Sequence, residues 1–123
     1  MLRFDVHGCT DVTGFGLMGH ALELAKASGV SIEIDAAALS FLPGALDYAR
    51  AGAIPGGLKN NREFASCDVE IARELDPAVE NLLYDPQTSG GLLISLPERD
   101  AAALGLPRIG RVTPPDGKRI RIV

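Results

Sequence analysis

Thr10, Asp11 and Thr13 stand directly before a run of glycines, Gly14, Gly16 and Gly19. The glycines spell G-x-G-x-x-G, and Asp35 follows at roughly the 20-residue spacing of a dinucleotide-binding fingerprint. That chemistry needs an apolar strand running straight into the first glycine, so that a helix N-terminus meets the pyrophosphate. Here the approach carries Asp11, an anion beside an anion, with no nearby Lys or Arg to offset the repulsion. The dinucleotide reading is set aside on that ground. An aspartate at a glycine-rich helix entrance does suit a divalent cation lying between it and a phosphate. Mg²⁺ takes one or two carboxylates and completes its shell with water and phosphate oxygens. Thr10 and Thr13 would then hydrogen-bond phosphate or metal-bound water, and Gly14 and Gly16 would let backbone N–H groups approach an anion. The residues alone leave a plainer alternative open, in which Asp11 and Thr13 cap the helix and the glycines serve close packing.

A second polar loop, DPQTSGG, has a similar character. Gln87, Thr88 and Ser89 offer neutral donors, while Gly90 and Gly91 admit dihedrals closed to other residues. An anion-binding nest and a tight turn into a central strand both fit it, and the turn is the commoner use.

The elements that must position these loops can be read from periodicity. A strand is expected over Arg3 to Cys9, then a helix over Gly14 to Ser28 with Thr13 as N-cap and Gly29 just past its end. Phe15, Met18, Leu22 and Ala25 form one apolar row and Leu17, Ala21 and Leu24 its neighbour, so the helix is well buried. Ser31 to Asp35 alternates as a half-buried strand. Ala45 to Ala51 is helical, IPGG is a turn, LKNNREFAS is a short helix or loop, and Val69 to Leu75 is ambiguous. Pro77 to Tyr84 begins a helix at proline, LLISLP is a strand, and Pro97 to Leu104 is a short helix. Ile109 to Val112 and Lys118 to Val123 are expected to form a hairpin across a Pro-Pro-Asp-Gly turn. In the second of these, Lys118, Arg119 and Arg121 alternate with Ile120 and Ile122, as in a half-exposed edge strand. Together the elements predict an α+β fold.

With 123 residues, 46% of them hydrophobic, the chain suits one domain with a real core. Its net charge of −4 leaves no electrostatic footprint for nucleic acid. No apolar run approaches the roughly 18 residues that span a bilayer, and the start of the chain lacks a signal-peptide pattern. Two distant cysteines, Cys9 and Cys67, give neither a metal motif nor a disulfide framework. A cytoplasmic location is the expectation.

Taken together, HGCTDVTGFGLMGHALELA and DPQTSGGLLISLP closely resemble the two signature segments of the selenide, water dikinases, or selenophosphate synthetases. IPGGLKNNREF resembles that family's Pro-Gly-Gly…Asn…aromatic segment, and IGRV…RIRIV its carboxyl end. The resemblance spans nearly the whole chain. It implies a single carboxyl-terminal domain over residues 1–123, of the aminoimidazole ribonucleotide synthetase-like type: a mixed sheet covered by helices, partly ferredoxin-like. The family reaction turns ATP, selenide and water into selenophosphate, AMP and phosphate. The aspartate of the TDVTGFG motif is in that family a magnesium ligand at the ATP phosphates, and it maps onto Asp11. Roles beside phosphate for Thr10, Thr13, Gly14, Gly16, Thr88, Ser89, Gly90 and Gly91 follow from their chemistry.

The family's amino-terminal ATP-binding domain, with its nucleophilic Cys or selenocysteine, partner Lys and further aspartates, is not within these residues. No catalytic residue is therefore expected here, and the isolated chain is expected to be inactive. Its partners would be the amino-terminal domain and, in a complete enzyme, ATP, selenide and a second copy in a homodimer. The alternative is a stand-alone domain that binds a phosphate ligand or a partner chain without catalysis. Cys9, inside the carboxyl-domain motif, reads as a small buried residue, and His7 and His20 as packing or capping residues. Gly8 stands where the family has Ala, and Leu58 where it has a small hydroxyl residue. The PERDAAALGL helix is shorter than its counterpart.

Overall fold

The computed structural model describes residues 3–123. The chain runs β1 (Gly8–Asp11), α1 (Gly16–Ser28), β2 (Ser31–Ile34), a 3₁₀ turn (Ala36–Ala38), α2 (Ala45–Arg50), α3 (Gly56–Ala65) and β3 (Val69–Ile71). It continues through α4 (Pro77–Leu83), β4 (Leu92–Ser95), α5 (Glu98–Leu104), β5 (Gly110–Thr113) and β6 (Ile120–Ile122). β1 and β4 form an antiparallel pair, and the other strands form a mixed sheet in the order β3-β6-β2-β5. β6 runs parallel to both β3 and β2, whereas β5 is antiparallel to β2. The α+β class with a helix-covered mixed sheet is as expected.

Helix α1 lies on the four-stranded sheet, and its apolar row supplies the centre of the core. Met18, Leu22 and Ala25 are fully buried against Ile34, Ile120, Ile122 and Leu83. Each large side chain buried in this way contributes roughly 1.5–3 kcal/mol. Phe15, at the head of the same row, is instead 49% exposed. Gly29 ends the helix, its N–H reaching the carbonyls of Ala25 and Lys26. α4 begins at Pro77 behind Asp76, whose side chain accepts from the Ala78 N–H at 2.8 Å. Arg50 of α2 donates to that same carboxylate at 2.7 Å, tying α2 to α4 and holding the Asp76 carboxyl below its ordinary pKa.

Several elements differ from expectation. The carboxyl-terminal strands make no hairpin, because β2 lies between them. Strand β6 is central, with Ile120 and Ile122 fully buried on the α1 side. Its charged neighbours alternate onto the open face of the same sheet, so a charge-rich strand need not be an edge. The first strand starts later than expected and contains Asp11, its register set by pairing with β4 from Gly8↔Ser95 to Asp11↔Leu92. Strand alternation turns Cys9 outward with Asp11, so Cys9 is exposed rather than buried. The LKNNREFAS segment is helical and α3 starts inside the IPGG turn; Val69–Ile71 is a strand. Asp35 accepts from the Ala37 N–H at 2.9 Å and caps the short 3₁₀ turn.

Candidate functional site

The segment leaving β1 and the loop between α4 and β4 meet at the front of α1. Val12 N–H donates to the Gly91 carbonyl at 2.9 Å, and Gln87 N–H donates to the Thr13 carbonyl at 3.0 Å. Asn61 of α3 closes the junction from below. Its amide donates to the carbonyls of Gly14, at 2.9 Å, and Tyr84, at 3.0 Å. These bonds satisfy backbone groups that no strand or helix pairs.

Two glycines make the close approach feasible. Gly16 has φ +69°, and a Cβ there would lie 2.8 Å from the Tyr84 carbonyl carbon. A Cβ on Gly90 would collide with the Val12 carbonyl oxygen and the Gln87 side chain. By contrast, a Cβ on Gly14 would meet nothing, so its neighbourhood is open. Gly16 and Gly19 of the G-x-G-x-x-G spacing are thus used for loop-to-helix and within-helix packing.

Thr13 is not the N-cap of α1. That position belongs to Phe15, which makes no side-chain cap. The Thr13 carbonyl instead accepts from Gly16 N–H at 3.0 Å, and its hydroxyl lies 3.2 Å from His20 Nε2. The Thr10 hydroxyl donates to the Asp11 carbonyl at 3.1 Å. Asp11 itself is exposed at the end of β1. Among the described residues no Lys, Arg or His lies within ion-pairing distance of it. Thr88, Ser89 and Gly91 are exposed on the second loop and Gly90 is half-buried. The two groups of predicted residues therefore belong to one junction.

Sequence reasoning missed three contributors. Asn61 was visible only as the Asn of a longer motif; its role depends on two carbonyls distant in sequence. Asp85, half-buried beside the contact with Gly16, has its carboxyl pKa pushed up by burial. Arg62 supports the second loop from behind, with an ion pair to Glu80 at 2.7 Å, a hydrogen bond to Asn81 at 2.8 Å and its guanidinium over the Tyr84 ring. His20, read as a packing residue, is indeed buried, and it also carries the Thr13 contact.

Asp11 offers a single carboxylate, fewer charges than Mg²⁺ needs unless phosphate oxygens supply the rest. Among the described residues no group of three His, Cys, Asp or Glu converges to hold a metal. An unpaired exposed carboxylate beside open backbone and hydroxyls fits a cation shared with a phosphate ligand. Leu92, paired with Asp11 across the strands, is 59% exposed, and at the front of α1 Phe15 stacks on Phe64 at 6.1 Å with the two 49% and 56% exposed.

Comparison with known proteins bears on this arrangement. Residues 1–123 match the family described as AIR synthase related protein, C-terminal domain. The selenide, water dikinase of Clostridioides difficile (strain 630) is 52% identical over 102 residues, 83% of this chain and 29% of that protein. The selenide, water dikinase of Treponema denticola is 39% identical over 136 aligned residues, 99% of this chain and 38% of that protein. The chain thus spans about a third of the length of these curated relatives. The crystal structure of thiamine monophosphate kinase from Aquifex aeolicus shares the fold, with a TM-score of 0.50 and 21% identity over 95% of this chain and 31% of that one. Matched over its whole length, the chain belongs to the AIR synthase related proteins as a C-terminal domain of that family.

Proposed function

We propose that this chain is the carboxyl-terminal part of a selenide, water dikinase and supplies one face of its ATP-phosphate site. The carrying observation is Asp11: an exposed carboxylate without an ionic partner among the described residues, at the mouth of two loops stitched together by backbone bonds. Mg²⁺, when bound with ATP, neutralises the phosphate charge on which phosphoryl transfer depends. Asp11 contributes one ligand to that ion. Thr10, Thr13, Gly14, Gly16 and the Thr88–Gly91 loop line the phosphate side. The Cys and Lys of the reaction come from the complementary amino-terminal domain, which also completes the Mg²⁺ shell. That domain docks on the apolar rim of Phe15, Phe64 and Leu92, and the complete enzyme is a cytoplasmic homodimer. Alone, the chain does not turn over.

The rim also favours a second reading, a non-catalytic domain that associates with a partner through the same surface. Selenophosphate formation, followed by phosphorus NMR, separates the two. The chain mixed with a matching amino-terminal domain should form selenophosphate, and Asp11→Asn should lower the rate about 100-fold. Turnover by the chain alone, or an Asp11→Asn mixture as fast as the unsubstituted one, would remove the assigned role.

A further inference from the structure

Thr13 is held at its backbone from two sides, by Gly16 N–H and Gln87 N–H on its carbonyl, each at 3.0 Å. What those bonds leave undetermined is the direction of its hydroxyl proton. His20 Nε2 lies 3.2 Å from the Thr13 oxygen, and His20 Nδ1 lies 3.7 Å from a Glu23 carboxylate oxygen. The His20 side chain is 11% exposed, and the Phe15 ring packs against its imidazole at 5.5 Å between centroids. Gly19 leaves the room for this, since a Cβ there would overlap the Phe15 Cβ.

We infer that His20 is a positioning residue that fixes Thr13 as a hydrogen-bond acceptor toward the hydrated cation at Asp11. The inference rests on the cation–phosphate reading above. A carboxylate beside Nδ1 favours the tautomer protonated there, because the N–H dipole points at the negative charge. Nε2 is then bare and accepts the Thr13 hydroxyl proton. With that proton committed inward, Thr13 has only lone pairs to offer the site. It can accept from a cation-bound water but cannot donate to a phosphate oxygen. Thr10, on the opposite face of β1 from Asp11, has its own proton committed to the Asp11 carbonyl. The direct donors to phosphate then come from backbone N–H groups or from the second loop.

The tautomer can be read on the unsubstituted chain by two-bond proton–nitrogen correlation of the His20 ring. The expected spectrum has the proton on Nδ1 and a bare Nε2, whose resonance shifts in Thr13→Val but not in Thr13→Ser. A proton on Nε2, or no response to Thr13→Val, overturns the inference. A second measurement adds Mn²⁺ and ATP to the chain mixed with a matching amino-terminal domain and follows paramagnetic broadening of the Asp11 and Thr13 resonances. His20→Phe should weaken this binding about tenfold, as loss of an outer partner of a metal site does, and His20→Gln, which restores an acceptor, should recover part of it. Equal affinity in His20→Phe and the unsubstituted chain overturns the positioning role. Absence of broadening near Asp11 in the unsubstituted mixture removes the cation–phosphate reading and the cation half of this inference. The ring spectrum still decides the His20–Thr13 bond by itself.

Discussion

The open face of the four-stranded sheet and the junction of the two loops are both polar, yet they treat charge in opposite ways. On the sheet face the arginines are paired with carboxylates. Arg111 meets Glu33 at 2.9 Å, Arg121 meets Glu70 at 3.0 Å and Asp116 at 3.4 Å, and the Lys118 ammonium donates to the Cys67 carbonyl at 2.6 Å. A depression of about 390 Å³ lies there, lined by Arg111, Arg121 and Lys118 among others, with both arginines ion-paired and the Lys118 ammonium held on a carbonyl. At the loop junction Asp11 has no such partner among the described residues, Leu92 opposite it is exposed, and the bonding goes into the backbone. Concavity and charge number point to the sheet; unspent charge and covered backbone point to the loops. The proposed site rests on the second pair of criteria, because groups that the fold has not already satisfied are the ones free to meet a ligand.

The sharpest way to break the comparison is to part the loops. Gly90→Ala drives a methyl group into the Val12 carbonyl oxygen, where backbone rather than a flexible side chain must yield. A loss of about 3 kcal/mol in urea unfolding is expected; a loss below about 1 kcal/mol would show that the junction is pliable. Next in size is Asn61→Ala. It leaves the Gly14 and Tyr84 carbonyls without their donor in a place where Asn61 is only 8% exposed. The expected cost is about 2 kcal/mol, with the amide protons of the Val12–Gly16 segment exchanging faster than those of β2 and β6. Uniform exchange across both regions would mean that Asn61 supports the whole fold and not the junction.

How far each region was legible in the sequence follows from the range of the interactions that build it. Helix α1, its Gly29 end and strand β2 are local patterns, and periodicity places them. The two loops were recognisable because long motifs mark them, and Asp11 stood out as an anion where a bare pyrophosphate would not tolerate one. Pairing was not legible. Nothing local to Lys118–Val123 says that Ile120 and Ile122 will lie between β2 and β3, and the alternating charges favoured an edge. The same ambiguity misplaced Cys9, since alternation gives two faces without naming the buried one. Thr13 looked like an N-cap because its type and position suit one; His20, one helical turn and more along the chain, competes for the hydroxyl and wins. Asn61 and Asp85 acquire their roles only where α3 and the second loop come together.

Asp85 offers a subtler contrast, between a carboxyl that the fold disfavours and the sheet-face carboxylates that it pairs. Burial raises the Asp85 pKa from its ordinary 3.8. The folded chain therefore holds that proton more tightly than the unfolded chain does. Stability from this group is greatest below 3.8 and is lost as pH rises through the elevated folded value. Asp85→Asn, neutral at every pH, should raise the unfolding midpoint at pH 7 and lose that advantage in acid below 3.8. A variant less stable than the parent at pH 7 would mean that the ionised carboxylate has an attractive partner at the junction, and the contrast between the regions would weaken.

The smallest effect belongs to the sheet face. Arg111 and Glu33 oppose each other directly across β5 and β2, the geometry in which opposite charges interact best on a sheet. Arg111 is nevertheless 60% exposed at its side chain. Water screens such a pair, and holding two long side chains together costs rotamer freedom. A double-mutant cycle through Arg111→Ala and Glu33→Ala should give a coupling of about 0.5 kcal/mol, shrinking further in 1 M salt, where screening reaches only about 3 Å. Neither substitution should alter Mn²⁺–ATP broadening near Asp11. A coupling above about 2 kcal/mol, or a change at Asp11, would mean that the paired face is energetically joined to the loop junction and that cancellation of charge there does not make it inert.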